Sequence, residues 1–291
     1  MDLPVTSGAA LVALVAAALF ALIVQSWRVA GDRQSGRPAF AGVIMNEAAQ
    51  RVGDRWQQLR RDAAAWLATF VVFAFAFAIA AALQQEPLLY ELATWQQLLV
   101  LLGAGLALGA GVYRFVRLLA LRHRLRLKKD AGKVTGHALQ RLNANLNRAF
   151  HDVPCSAGII DHVVAGLHGI YAIHVIARPP GKDNRVRLKD DAVHFASRHG
   201  PVAIGAFLAA AERLARDCSK TVGHEVHVRC VISVPGWEIS AQSNPDVLLV
   251  NERNLAMLSG WRDQRDYLMN EDVDAVQQLL GARSTRFDAR R

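Results

Sequence analysis

Three long apolar runs in the first half of the chain predict three membrane-spanning helices. The run at 63 to 83 has Thr69 as its only polar side chain, and its length matches the roughly 20 residues that a helix needs to cross the hydrocarbon core of a bilayer. A first run gives a span at about 5 to 26, and a third gives a span at about 96 to 116. The third run has only about 16 fully apolar residues, so its length alone also fits a buried helix.

The first and third runs each allow a second interpretation. The first could be a cleaved signal peptide, but residues 1 to 10 contain no Lys or Arg, and this favours an uncleaved signal anchor. In the third, Gly105 and Gly109 form a Gly-x-x-x-Gly pair, which permits close helix contact and predicts a homo-oligomer through that face. The alternative is that glycine is simply common in apolar helices.

The basic residues around these runs predict the orientation of the chain. The loop at 28 to 62 carries seven arginines, and the segment at 114 to 129 carries seven basic residues and no acid. No Lys or Arg lies before the first run or between the second and third. Because short cytoplasmic loops are enriched in Lys and Arg, we expect a multi-pass inner-membrane protein with its amino terminus outside and its carboxy-terminal half in the cytoplasm.

The net charge of +9 does not by itself indicate a nucleic-acid-binding protein. Residues 1 to 129 contain 14 basic and 7 acidic residues, whereas residues 130 to 291 contain 20 and 18. Most of the excess charge therefore lies beside the predicted spans, where the lipid bilayer is the expected partner. Three cysteines without metal-ligand spacing fit a reducing compartment, and we expect them in the core.

The second half of the chain has the pattern of one mixed α/β domain. An amphipathic helix is predicted at 134 to 150, and two strands are predicted on either side of the glycines in GLHG at 166 to 169. Further strands are predicted at RVRL, VHVRCVISVP and DVLLV, and further helices at about 202 to 217, at NLAMLSGW and at DVDAVQQLLG. Trp237 in PGWEI could stack on a base, but core packing is the favoured prediction.

Four segments follow one another in this half: GKVTGHALQRL, IIDHVVAGLHGIYAIHVI, GPVAIGAFLAAAERL, and CVISVPGWEI followed by VLLVNERNL. Together they resemble the nuclease-related domain (NERD) family. The resemblance implies a restriction-endonuclease-like α/β domain at 130 to 262. This domain follows a three-helix transmembrane region at 1 to 129 and precedes a carboxy-terminal helix and basic tail at 263 to 291.

The active-site pattern that the resemblance implies is mostly missing. The family pattern has an acid on the opening helix, an acid on the first strand, and an acid two residues before a lysine on the second strand. In this sequence these positions are His137, Asp161, His174 and Ile176, so only Asp161 matches. Because Mg²⁺ prefers several oxygen ligands, one carboxylate without the lysine is too little for this chemistry.

Two functions follow from these residues. The favoured prediction is a membrane-anchored, catalytically inactive domain without a cofactor that binds nucleic acid or a protein, such as a neighbouring membrane protein. The alternative is a metal-dependent nuclease or phosphodiesterase with a rebuilt site. In that case His137, Asp161 and His174 would converge on Zn²⁺ or another divalent metal, since two imidazoles and a carboxylate are suitable ligands for such ions.

Overall fold

The computed structural model describes residues 3–34, 45–83, 93–141, 147–196, 199–259 and 266–285. Contacts between residues divide the chain into two compact units. We call the described residues of 1–41 and 55–124 the helical unit, and those of 42–54 and 125–289 the sheet unit.

Three long helices lie where the spans are predicted. They are α1 (Leu3–Gln34), α2 (Gln50–Leu83) and α3 (Thr94–Gln140). Each is long and apolar enough to cross a membrane. Two of them continue well beyond the predicted boundaries, since α2 begins 13 residues before position 63 and α3 is helical for 24 residues after position 116.

Aromatic residues mediate the contact between α2 and α3 in the helical unit. The rings of Phe70 and Phe115 lie 6.4 Å apart, edge to face. A Cβ at Gly111 would meet the Phe70 ring at 2.9 Å, so this glycine lets the ring lie close to α3. Gly105 and Gly109 have open space around them, and the predicted homo-oligomer through their face remains a prediction.

Nine strands, two helices and a 3₁₀ turn make up most of the sheet unit. In chain order the strands are β1 (Arg148–Cys155), β2 (Gly158–Gly166), β3 (Gly169–Val175), β4 (Arg185–Lys189), β5 (Ala192–Phe195), β6 (Val202–Ala203), β7 (Val228–Ser233), β8 (Glu238–Gln242) and β9 (Val247–Val250). The helices are α4 (Gly205–Val222) and α5 (Asn270–Arg283), and the 3₁₀ helix is Leu255–Ser259.

The strands form two sheets. The larger has the order β1-β2-β3-β7-β9, in which β1, β2 and β3 are antiparallel neighbours and β3, β7 and β9 are parallel. The smaller has the order β6-β5-β4-β8. Helices α4 and α5 cover one face of the larger sheet, whereas Leu139 of α3 and the 3₁₀ residues Leu255 and Leu258 pack on the other. The predicted mixed α/β class is confirmed.

Three sequence predictions of secondary structure are wrong in detail. The helix predicted to reach residue 150 does not, because Arg148 to Phe150 already belong to β1, where alternate side chains enter the core. NLAMLSGW forms a short 3₁₀ helix at Leu255–Ser259 rather than an α-helix, and its last two residues lie outside the described residues. Strands β5, β6 and β8 were not predicted, because they are short and partly exposed, and β6 lies where the helix at about 202 to 217 was expected to begin.

Two glycines of α3 allow residues 48 and 49 to pack against it within the sheet unit. A Cβ at Gly132 would meet the Cβ of Ala49 at 2.8 Å, and one at Gly136 would overlap the Cβ of Ala48. Segment 45–50 is held at its other side by the backbone N–H of Asn46, which donates to the carbonyl oxygen of Ser284 at 2.8 Å. The small residues therefore set the distance between this segment and α3.

Gly136→Ala is expected to destabilise the sheet unit by about 1–3 kcal/mol, because overpacking displaces Ala48. This outcome opposes helix propensity, which favours Ala over Gly by about 1 kcal/mol. The matched control is Gly205→Ala in α4, where a Cβ meets open space. Chemical denaturation followed by circular dichroism should show a loss for the first variant and none for the second. Equal stability of both variants would contradict the packing.

Candidate functional site

The four predicted site residues lie on three elements of the sheet unit. Asp161 is in β2, His174 is in β3, Ile176 directly follows β3, and His137 is near the end of α3. The hairpin pairing of His162 with Ile173 places Asp161 beside the end of β3. Their contacts determine which of them can act together.

Both oxygens of the Asp161 carboxylate have partners. The backbone N–H of Val175 donates to Oδ2 at 2.8 Å, which ties β2 to the end of β3. Nζ of Lys128, on α3, lies 3.5 Å from Oδ1. The Asp161 side chain is 17% exposed and that of Lys128 is 46% exposed, so the ion pair lies at the edge of the core. The carboxylate is therefore held in a fixed orientation beside a positive charge.

A second carboxylate, that of Asp152 in β1, lies close enough to Asp161 for the Asp161 charge to affect the pKa of Asp152. It is almost fully buried and accepts a hydrogen bond from the backbone N–H of Arg51 at 2.9 Å. Because Arg51 is in the first turn of α2, Asp152 satisfies one of the free N–H groups at this helix end. Burial raises the pKa of Asp152, and the Asp161 charge acts in the same direction.

His174 is a buried, neutral imidazole. Only 4% of it is exposed, and its ring stacks on Phe207 of α4 with a centroid distance of 4.7 Å. Burial lowers the pKa of His174 to about 4, although the nearby Asp161 charge opposes this shift. Its Nε2 atom has no hydrogen-bond partner among the described residues. The side chain therefore packs as part of the core.

Ile176 is also part of the hydrophobic core. Its side chain is buried, and its backbone N–H donates to the carbonyl oxygen of Ser233 at 2.9 Å, which extends the contact between β3 and β7. An aliphatic side chain at this position supplies no cation. The only ammonium group that the described contacts place at Asp161 is that of Lys128.

His137 lies on the exposed side of α3. The face of α3 that packs on the sheet unit consists of Gly132, Thr135, Gly136 and Leu139, at helical spacing. Thr135 reaches the sheet directly, since its hydroxyl lies 3.0 Å from that of Ser233. The structure thus brings Asp161 and His174 together. Among the described residues no group of three His, Cys, Asp or Glu side chains is placed to hold a metal ion, and His137 does not join the other two in one.

A second pair of histidines lies near this region. Nδ1 of His151 in β1 is 2.8 Å from Nδ1 of His162 in β2, so one ring donates to the other. His162 is fully buried, and burial lowers its pKa to about 3; burial also lowers the pKa of His151. Among the described residues no acid is seen in contact with this pair, so an added proton would be buried without a compensating charge and would destabilise the contact.

A groove of about 600 Å³ lies elsewhere on the sheet unit, beside α5. Met45, Arg148, Asp274, Gln277 and Gly281 are among the residues that line it. None of the predicted site residues does so.

Sequence reasoning missed Lys128 and Asp152. Lys128 was assigned to the basic segment after the third span, and Asp152 was given no role. The only signal for Asp152 is an acid within an otherwise half-apolar strand, HDVPC. For Lys128 there is no local signal, because its partner lies 33 residues away in the chain.

The chain was compared with models of known protein families, with curated proteins and with solved structures, and it matches none of them.

Asp161→Ala is expected to lower the free energy of unfolding of the sheet unit by about 2 kcal/mol, because it leaves the partly buried Val175 N–H without its acceptor. Lys128→Met should cost less than about 1 kcal/mol, since the ion pair is half exposed. Urea denaturation of both variants measures the two losses in the free energy of unfolding. A larger loss for Lys128→Met than for Asp161→Ala would be inconsistent with the assigned contacts.

Proposed function

We propose that the protein is a membrane-anchored binding domain without hydrolytic activity, built on a restriction-endonuclease-like scaffold. The four segments that resemble the NERD family support this scaffold, because most of their residues lie on the larger sheet and its flanking helices. The opening helix is the end of α3, the hairpin is β2 and β3, the later helix is α4, and the late strands include β7 and β9. The sheet unit then lies on the cytoplasmic side, as the distribution of Lys and Arg favours.

The contacts of the Asp161 carboxylate are the main support for the proposal. Its oxygens accept from Val175 and face Lys128, so a metal ion would have to displace the ammonium group. His174 is buried under Phe207, and Ile176 is in the core. A Mg²⁺ site needs one or two accessible carboxylates with room for waters and a phosphate oxygen, and these contacts leave little room for them.

A protein partner is favoured over a nucleic acid. Residues 130 to 291 are nearly neutral, with 20 basic and 18 acidic residues. Sequence-independent binding to nucleic acid depends on a concentrated positive charge, which releases counterions from the phosphates. The even balance of charge gives no such concentration, and this favours a protein partner over a nucleic acid.

A metal-dependent nuclease or phosphodiesterase is the second candidate, and one observation favours it. Lys128 places an ammonium group 3.5 Å from Asp161, although it comes from α3 rather than from the strand position occupied by Ile176. A cation in this place could stabilise the charge that develops on a phosphate during hydrolysis. In that role Lys128 would be essential for activity.

Cleavage assays with the full chain in detergent micelles separate the two candidates. We expect no cleavage of supercoiled plasmid or of single-stranded RNA with Mg²⁺, Mn²⁺ or Zn²⁺ beyond the level of Asp161→Asn. Lys133→Ala, an exposed lysine on the same helix, is the matched control for Lys128→Ala. Cleavage that is lost in Asp161→Asn and Lys128→Ala but kept in Lys133→Ala would establish the nuclease. Fluorescence anisotropy with labelled DNA and RNA tests the partner class, and tight, specific binding would contradict the preference for a protein.

A further inference from the structure

An arginine-rich band lies at one end of the helical unit, where α2 enters and α3 leaves the apolar spans. Segments 55–62 and 114–124 contain seven arginines and one acid, Asp62. Six of the arginines are exposed, and we call them the arginine band: Arg55, Arg60 and Arg61 on α2, and Arg114, Arg117 and Arg124 on α3. The seventh, Arg122, is half-buried.

Side-chain contacts show that the arginines of both helices lie at the same level. The guanidinium of Arg122 lies over the ring of Trp56, 5.3 Å from its centroid. Further along the antiparallel pair, Phe70 contacts Phe115. Positions 60 and 61 of α2 and position 117 of α3 lie between these two contacts. These three exposed arginines thus lie at similar levels of two neighbouring helices.

Exposed apolar side chains alternate with the arginines on α3. Tyr113, Val116, Leu119 and Leu121 are 67%, 58%, 40% and 39% exposed, respectively. Leucine and valine side chains in water would be unfavourable, whereas acyl chains of a bilayer would cover them. A nucleic acid offers phosphates but no such apolar cover. The mixture of side chains therefore fits a ligand that has both a phosphate and hydrocarbon chains.

We propose that the arginine band binds the headgroups of anionic phospholipids in the surrounding bilayer and retains such lipids selectively. Guanidinium groups bind phosphate oxygens through paired N–H donors, which gives this contact more specificity than a general positive charge. Topological orientation requires only an excess of Lys and Arg on one side of the membrane. Selective retention of anionic lipid is a property beyond topological orientation. The proposal does not depend on the function of the sheet unit.

Native mass spectrometry of the full chain in detergent tests the proposal. The protein is titrated with dioleoyl phosphatidylglycerol and, separately, with dioleoyl phosphatidylcholine. Each basic residue near an anionic headgroup contributes roughly a fivefold gain in affinity, so three of them should account for about a 100-fold preference for phosphatidylglycerol. Equal binding of the two lipids by the unaltered chain would overturn the proposal without any variant.

Charge variants then locate the binding site. The triple variant Arg60→Gln, Arg61→Gln, Arg117→Gln should lose most of the preference. The same positions changed to Lys should give an intermediate preference, because the charge remains but the paired N–H donors of the guanidinium are lost. The matched control changes three exposed arginines of the sheet unit, Arg187, Arg216 and Arg253, to Gln. An equal loss in this control, or an unchanged preference in the first triple variant, would overturn the assignment.

Two further measurements separate lipid binding from misfolding and from nucleic-acid binding. Far-ultraviolet circular dichroism should show the same helix content for all variants. If the triple Gln variant has a different helix content, the preference of the unaltered chain for phosphatidylglycerol over phosphatidylcholine tests the proposal instead. A labelled RNA or DNA oligonucleotide should not displace phosphatidylglycerol. Displacement that is lost in the triple Gln variant would show that the band binds nucleic acid instead.

Discussion

Lowering the pH from 6.5 to 4 is expected to destabilise the sheet unit by several kcal/mol, because it contains two buried histidines that fold in the neutral form. Burial lowers the pKa of His162 to about 3 and that of His174 to about 4. In the unfolded chain both have the ordinary value of 6.5. Below pH 6.5 the unfolded state therefore binds more protons, and stability falls by up to about 1.4 kcal/mol per pH unit for each imidazole.

The loss should end only near the folded-state pKa of each group, at about pH 4 for His174 and pH 3 for His162. The lowered pKa of His151 acts in the same direction. Asp152 opposes it at the acidic end of this range, because its raised pKa means that the folded state takes up a proton first. The histidines outnumber it, so the net change remains a loss.

The measurement is urea denaturation of the full chain at several pH values between 7.5 and 4. His174→Leu should remove about half of the slope between pH 6.5 and 4 with little loss of stability at pH 7.5, because the ring packs on Phe207 and its Nε2 has no partner among the described residues. His137→Gln, which changes an exposed imidazole, is the control and should leave the slope unchanged. A flat profile for the unaltered chain would contradict the burial of these imidazoles.

Trp237→Ala is expected to destabilise the sheet unit by about 3–5 kcal/mol, the usual cost of removing a buried indole. Trp237 is 1% exposed and lies between β7 and β8. Its ring meets Phe195 of β5 edge to face at 4.8 Å, and its indole N–H donates to the carbonyl oxygen of Arg178 at 3.0 Å. It therefore packs against the smaller sheet and is not available to stack on a base.

Trp237→Phe keeps most of the apolar volume and loses the hydrogen bond, so it should cost clearly less than Trp237→Ala. Trp95→Ala, which removes an exposed indole from α3, should leave the sheet unit unchanged. Denaturation followed by tryptophan fluorescence and circular dichroism measures all three. A cost below about 1 kcal/mol for Trp237→Ala would show that this ring is not part of the core.

Local patterns in the sequence predicted the spans and the central hairpin. The spans follow from uninterrupted apolar runs of sufficient length, as in α2. The hairpin follows from two β-branched runs on either side of Gly166 and Gly169, of which Gly169 adopts φ +123°. Strands β7 and β9 were equally clear, because both are mostly buried and rich in β-branched and other apolar residues.

The rest depended on contacts between distant residues. The hydrogen bond between Arg51 and Asp152 joins positions 101 residues apart, and no local pattern indicates it. The basic segment after the third span looked like a topology signal, although it also continues α3 and brings Lys128 to Asp161. His137 lies on the exposed side of α3, one position after the buried Gly136.

Thermal unfolding of the full chain with and without a divalent metal tests most directly whether Asp161 serves the fold rather than a metal. A metal that binds the folded state at 100 times its dissociation constant stabilises it by about 2.7 kcal/mol. We expect that 10 mM Mg²⁺ or Mn²⁺ changes the melting temperature of the unaltered chain and of Asp161→Asn equally. A rise of several degrees in the unaltered chain that is absent in Asp161→Asn would show that Asp161 binds metal, and would contradict the proposed inactive domain.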